Sequence, residues 1–279
     1  MTDTLHPAPP PPHVLVVDSG LGGLSVADAL RARAPTYTLS YLADYALFPY
    51  GIRSEAEILA HLPALVERAA ARHSPDMVVI ACNTASTVAL PDIRARISRP
   101  VVGTVPAIKP AGLLSRSRTI GLLGTPGTVR RAYTQALIDE FAADCTVVRR
   151  GSSALVAAAE AKLARGADVR AEVRAELEAL LAEPGGEAVD VIVLACTHFP
   201  FLREELEAAT PRDIAFLDSG PAIARRVTDL AAGLVPPPAG GARPSCLLSA
   251  DPPAGAVLAP LFAAFGFPAP EVMPAWPKS

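Results

Sequence analysis

Short runs of Val, Ile and Leu recur along the chain, at 14–17, 39–43, 77–81, 100–105, 119–123, 145–148, 189–195 and 214–217. They are mostly unalternating. A strand with one wet face alternates apolar and polar residues, whereas a parallel strand covered on both faces reads as a continuous apolar run. Between these runs lie stretches rich in Ala, Leu, Arg and Glu, near 23–33, 54–72, 86–96, 128–143, 153–164, 168–182, 201–209 and 220–233. Strand and helix take turns, which predicts an α/β fold of parallel sheets with right-handed crossovers. Residues 1–13 are proline-rich and are expected to form a disordered tail, although the regular pattern starts at His13. PPPAGGARP, at 236–244, is expected to be a loop.

The residues that follow the predicted strands repeat. VLVVDSGLGG (14–23) is echoed by TIGLLGTPGT (119–128), VVIACNTAS (78–86) by VIVLACTHFP (191–200), and PVVGTVPAI (100–108) by AFLDSGPAI (215–223). Three pairs in the same order predict two similar α/β lobes related by a pseudo-two-fold axis, with a cleft between them. The first lobe is expected to comprise 14–106 completed by 219–279, and the second 107–218.

Composition narrows the function classes. Of 279 residues, 51% are hydrophobic and 19% charged, a globular balance. The net charge of −3 and scattered basic residues give no footprint for nucleic acid, and no direct nucleic-acid binding is expected. No apolar leader and no run of ~18 apolar residues is visible, so neither secretion nor a membrane helix is expected. Four cysteines, Cys82, Cys145, Cys196 and Cys246, form no CxxC pair. Reduced thiols in a cytoplasm are the expectation, with disulfides the alternative. The histidines show no metal-ligand spacing, and no metal is expected. His6 and His13 fall in the tail, and His61 and His73 are expected on helix surfaces.

Two cysteines occupy matching places. Cys82 and Cys196 each end an apolar run, and each is trailed by hydrogen-bonding residues: Asn83 and Thr84, Thr197 and His198. One such cysteine reads as a small buried hydrophobe. Two at matching strand ends read as a pair of proton carriers, because a thiol titrates near neutrality and is easily tuned. In parallel α/β sheets ligands sit at the carboxyl ends of strands. If the lobes face each other, one thiolate removes a proton from a carbon and the opposite thiol returns one to the other face. The outcome is inversion, a racemisation or epimerisation. Donors on Ser19, Asn83, Thr84 and Thr197 can hold a ligand carboxylate as charge develops. DSGLGG (18–23) also reads as a capped helix start, and the Pro-Tyr-Gly after Asp44 as an ordinary turn.

DSGLGGL, ADYALFPYG, ACNTAS, VGTVPAIKPA, GTPGTV, ACTHFPFL and DSGPAIARR, spread over residues 18–226, closely resemble the glutamate racemases of the cofactor-independent aspartate/glutamate racemase superfamily. The resemblance implies a bacterial cytoplasmic isomerase that supplies D-glutamate for peptidoglycan, needs no cofactor and is often a homodimer. It places the catalytic pair on Cys82, acting on D-glutamate, and Cys196, acting on L-glutamate, with Asp18 and His198 as their proton-exchanging neighbours. It carries substrate contacts to Asp18, Ser19, Tyr50, Gly51, Asn83, Thr84, Thr197 and His198. Asp44 and Glu160 match acidic positions sometimes implicated, and Glu160 equally suits a solvated helix. YALF before PYG departs from the polar residue many members carry. The rivals are an aspartate-specific sister, a pyridoxal-phosphate racemase, a thiol hydrolase and a binding protein without chemistry. With only Lys109, Lys162 and Lys278 available, and none after a glycine-rich phosphate loop, the pyridoxal route ranks very low.

Overall fold

A computed structural model describes residues 10–234, 243–254 and 256–273. The chain opens with β1 (His13–Asp18), α1 (Leu24–Arg33), β2 (Thr38–Ala43), α2 (Glu55–His73), β3 (Met77–Ile80), α3 (Asn83–Arg96), β4 (Val101–Gly103) and α4 (Ile108–Leu114). It continues with β5 (Thr119–Gly124), α5 (Pro126–Arg130), α6 (Ala132–Phe141), β6 (Thr146–Gly151), α7 (Ala154–Arg165), α8 (Arg170–Leu181), β7 (Val191–Ala195), α9 (Arg203–Ala209) and β8 (Ala215–Leu217). Then come α10 (Gly220–Ala231), β9 (Cys246–Leu248), α11 (Leu258–Ala264) and β10 (Glu271–Val272).

The strands form two all-parallel sheets. One runs β10-β9-β2-β1-β3-β4 and the other β6-β5-β7-β8. Within β2-β1-β3-β4 and β6-β5-β7-β8 the winding is the same, so the repeat seen in the strand ends is a repeat of topology.

Both faces of each sheet are covered, which explains the unalternating runs. In β1, Val14 and Val16 enter one core while Leu15 and Val17 enter the core on the opposite face. In β7, Ile192 and Leu194 face one core and Val191 and Val193 the other. Alternation exists in space but is invisible in sequence, because both sides are apolar.

Helix ends follow local chemistry. Ser54 and Glu57 form a reciprocal capping box at the start of α2. Thr125 caps α5 by accepting from the Thr128 N–H, with Pro126 in the first turn, where its missing N–H costs nothing. The segment that follows the second sheet returns to the first. α10 buries Ile223, Ala224, Val227 and Ala231 in the core that holds Leu24, Ala27 and Leu30 of α1. β9 pairs with β2, and Tyr41 meets Phe262 and Phe267 with ring centroids 5.6 Å away in each case.

Several expectations change. His13 is the first residue of β1, 2% exposed, with Nε2 2.7 Å from the Ser40 hydroxyl, so the tail cannot extend through it. Residues 1–9 and 235–242, most of the expected tail and loop, lie outside the described residues. The helix expected over 128–143 starts at Pro126 and breaks at Arg131, whose extended backbone (ψ 145°) separates α5 from α6. α4 was not foreseen: IKPAGLL is too short to show a period. All four cysteines are free. No helix among the described residues is long and apolar enough to cross a membrane.

Candidate active site

In each sheet the strand order reverses beside the central strand, β1 or β5, and the carboxyl ends there open a crevice. Asp18 ends β1 and Cys82 follows β3; Thr125 follows β5 and Cys196 follows β7. The two crevices merge in one cleft of about 390 Å³, part of it open to solvent. Its lining includes Ser19, Tyr50, Gly51, Cys82, Asn83 and Thr84 from one side and Thr125, Ser153, Cys196, Thr197 and His198 from the other. The thiols are 8% and 6% exposed.

Cys82 is the N-cap residue of α3. The N–H groups of Thr84 and Ala85 donate to its sulfur and favour the thiolate. Burial opposes them and wins, with the nearby Asp18 carboxyl adding to it, so this thiol sits above its ordinary range. Asp18 is itself fully buried. Its Oδ2 accepts from the Gly20 N–H at 3.1 Å and its Oδ1 from the Thr197 hydroxyl at 3.1 Å. Burial raises its pKa despite those donors and despite the opposing charge on His198. The first flank is thus arranged to hold protons.

The second flank is built differently. The Cys196 sulfur lies 3.7 Å from Nδ1 of His198, and Nε2 of that ring is 2.8 Å from Oε1 of Glu160. Burial lowers the His198 pKa, but hydrogen bonds to Cys196 and Glu160, with their charges, carry it well above its ordinary value. The same Glu160 oxygen accepts from the Leu21 N–H at 2.7 Å, and Oε2 accepts from the Tyr45 hydroxyl at 3.2 Å. Phe48 packs on Tyr45 and on the His198 ring, with centroids at 5.7 and 6.1 Å. A Cβ on Gly22 would lie 2.4 Å from the His198 ring, so only glycine lets the first lobe's turn approach this closely.

Hydroxyls stitch the lobes together. Thr84 lies 3.2 Å from Thr125 and 3.3 Å from Thr128, which are 2.9 Å from each other. Ser25 donates to the Thr197 carbonyl at 2.9 Å. Asn83 is 3% exposed, and its Oδ1 has no partner. A buried acceptor left open in a ligand cleft is an acceptor for the ligand. Asp44 stands one layer back: fully buried, it accepts from the Tyr50 hydroxyl at 2.5 Å rather than lining the cleft.

The Asp/Glu/hydantoin racemase family model matches residues 24–227. The glutamate racemase of Sphingopyxis alaskensis is 50% identical over 230 residues, 82% of this chain and 85% of its own. That of Pectobacterium carotovorum is 45% identical over 266 residues, 95% and 93% of the two chains. The crystal structure of Escherichia coli glutamate racemase with L-glutamate and the activator UDP-MurNAc-Ala aligns with a TM-score of 0.87, at 42% identity. It covers 95% of this chain and 98% of that one. The chain belongs to the Asp/Glu/hydantoin racemase family.

Members of this family are isomerases, and the two-lobe architecture is theirs. The residues that the resemblance marks for this racemase family are brought together: Asp18, Ser19, Tyr50, Gly51, Cys82, Asn83, Thr84, Cys196, Thr197 and His198 meet at or directly beside the cleft. Glu160 is 9% exposed and bonded to His198, so the solvated-helix alternative for it does not hold. The departure at YALF places Tyr45 on Glu160 and Phe48 on His198, an aromatic wall behind the second thiol. Thr125, Thr128 and Ser153 were not singled out. The Thr-Pro-Gly-Thr cap of α5 was a visible signal for the first two. His61, expected on a helix surface, reaches Asp44 instead.

Proposed function

We propose that this racemase interconverts L- and D-glutamate without a cofactor, using Cys82 and Cys196 as opposed acid/base thiols. One observation carries the reading: both sulfurs line a single cleft, at equivalent strand ends of two topologically equivalent sheets. The names of the relatives support glutamate as the substrate.

In this reading a thiolate takes the Cα proton, forming S–H as C–H breaks. The electron pair moves into the α-carboxylate, and the opposite thiol gives its proton to the other face of the carbon. Ser19 and Thr84 supply hydroxyl donors to the carboxylates, Thr197 supplies its backbone N–H, and the start of α3 adds its N–H groups. Asn83 Oδ1 and Asp18 accept from the ammonium group. Tyr50 and Gly51 frame the cleft. Asp18 exchanges protons with Cys82, which acts on D-glutamate. His198 exchanges them with Cys196, which acts on L-glutamate, and Glu160 holds the imidazolium. Lobe limits at 106/107 and 218/219, a homodimer, and a bacterial cytoplasmic role in supplying D-glutamate for peptidoglycan belong to the same proposal, on family likeness.

The test is one incubation of the purified protein with D-glutamate in D₂O, with a thiol reductant and no cofactor. Optical rotation is expected to decay to zero while deuterium replaces the Cα proton. Retained rotation and proton with D-glutamate, but loss of both with D-aspartate, would move the assignment to the aspartate-specific sister. Silence on both sinks the two-thiol reading.

A further inference from the structure

His61 stands on α2 with 31% of its side chain exposed. Its Nε2 lies 2.9 and 3.1 Å from the two oxygens of Asp44. Asp44 is wholly buried, and it also accepts from the Tyr50 and Ser249 hydroxyls, each at 2.5 Å. Three donors from three parts of the chain converge on one carboxylate: α2, the turn at Tyr50–Ile52, and the segment after β9. A carboxylate taken out of water needs such compensation. Of the three donors, His61 alone can carry a positive charge, and its side chain is partly open to solvent. The hydrogen bond to Asp44 and its charge raise the His61 pKa, against burial and against Arg68 further along α2.

The inner end of this chain is the ligand cleft. Tyr50 is 1% exposed and lines the cleft with Cys82. The next residue, Gly51, faces the other lobe so closely that a Cβ would lie 2.8 Å from Cβ of Thr125. Tyr50 and Gly51 thus share one short turn that meets both the ligand cleft and the lobe contact.

We infer that His61 is a positioning residue: through Asp44 it fixes Tyr50, and with it the turn that frames the bound amino acid. The inference rests on the racemase reading of the cleft. Nothing in it requires His61 to touch the substrate. The His61 ring, within hydrogen-bond distance of both Asp44 oxygens, holds that side chain at the place where the Tyr50 hydroxyl must anchor. Without it, Asp44 loses one of its three donors, and Tyr50 loses a fixed partner.

The experiment compares the wild type with His61→Leu and His61→Gln, which keeps an N–H donor without the imidazole charge. With D-glutamate, His61→Leu is expected to raise KM about tenfold and leave kcat within about twofold, the size of one lost hydrogen bond to a charged group. His61→Gln is expected to recover most of that loss. A purely stabilising His61 would lower the unfolding midpoint of both variants and leave KM untouched, which overturns the inference. NMR titration of the His61 ring gives a readout independent of turnover. Its pKa is expected above 6.5 in the wild type, lower in Asp44→Asn and displaced in Tyr50→Phe. If neither variant moves it, the chain His61–Asp44–Tyr50 does not operate. A wild type inactive on glutamate would sink the substrate assignment, and the titration would still decide the network.

Discussion

Oε1 of Glu160, on the second lobe, accepts from the backbone N–H of Leu21 on the first at 2.7 Å, and from His198 at 2.8 Å. One carboxylate therefore ties the two lobes together and anchors the ring whose Nδ1 lies 3.7 Å from the Cys196 sulfur. Glu160→Gln keeps the shape and loses the charge that retains the imidazolium. Removing a charge-assisted partner costs about 1.5–3 kcal/mol, so kcat from L-glutamate is expected to fall about tenfold to hundredfold. His198→Ala is expected to act in the same direction. Because enantiomers have an equilibrium constant of one, kcat/KM must remain equal in both directions. The asymmetry appears as kcat and KM falling together for one enantiomer, which initial-rate circular dichroism from each side measures. Equal effects on kcat from both enantiomers would remove Glu160 and His198 from the Cys196 side.

The two thiols make a sharper pair. Cys82→Ser and Cys196→Ser each keep a polar group of similar size but replace a thiol by a hydroxyl, a far weaker acid. Net racemisation is expected to drop by about 10³-fold or more in each, within the span of lost general acid–base catalysis. The folded state is expected to persist, with near-unchanged far-ultraviolet circular dichroism. Full activity in either variant would rule out the two-base mechanism.

Thr128 is fully buried and touches the ligand cleft through Thr84 and Thr125. Thr128→Val preserves the volume and deletes a hydroxyl from a contact that spans the lobes. The loss of one or two neutral hydrogen bonds, at ~1 kcal/mol each, is expected to raise KM about fivefold to thirtyfold. Thr128→Ser, which restores the hydroxyl, should return KM towards the wild type. A Thr128→Val variant with unaltered KM would show that the hydroxyl ring does not shape the ligand-bound state.

His13 provides a stability test far from the thiols. Burial lowers its pKa against the pull of Asp76, with His73 and Arg99 adding to the lowering. The folded protein thus resists protonation that the unfolded chain accepts. This contribution is fully present above the unfolded value of about 6.5 and is lost as pH falls below it towards the folded value. The unfolding midpoint of the wild type, relative to His13→Gln, is expected to fall between about pH 7 and about pH 5. A difference that stays flat across that interval would show that His13 is not buried in its neutral form.

Much of this was legible in the chain before its structure. Runs such as VLVV and VIVL announced strands with two dry faces, and the paired ACNT and ACTH ends located the cleft, because a repeated local signal survives without knowledge of packing. Glu160 was not decidable in the same way. Its helix, ALVAAAEAKLAR, reads equally well with that carboxylate in water, and its burial depends on a lobe contact with Leu21, 139 positions away. His61 was misplaced for the same reason: its partner Asp44 lies beyond the reach of any helical period. The break at Arg131 escaped because YTQALIDEF continues the same helical composition across it.

The shared strand order of the two sheets bears on chirality itself. L-Glutamate and D-glutamate are related by reflection, but a chain of L-residues can duplicate itself only by rotation. No arrangement of two lobes can therefore present a substrate and its mirror image with mirror-image walls. Here the inequality takes a definite form: a carboxyl, Asp18, stands near one sulfur, and an imidazole held by Glu160 stands beside the other. Under the two-thiol proposal these are two different proton reservoirs, reached by one duplicated scaffold, through which a handed catalyst would serve a reaction that has no handedness of its own.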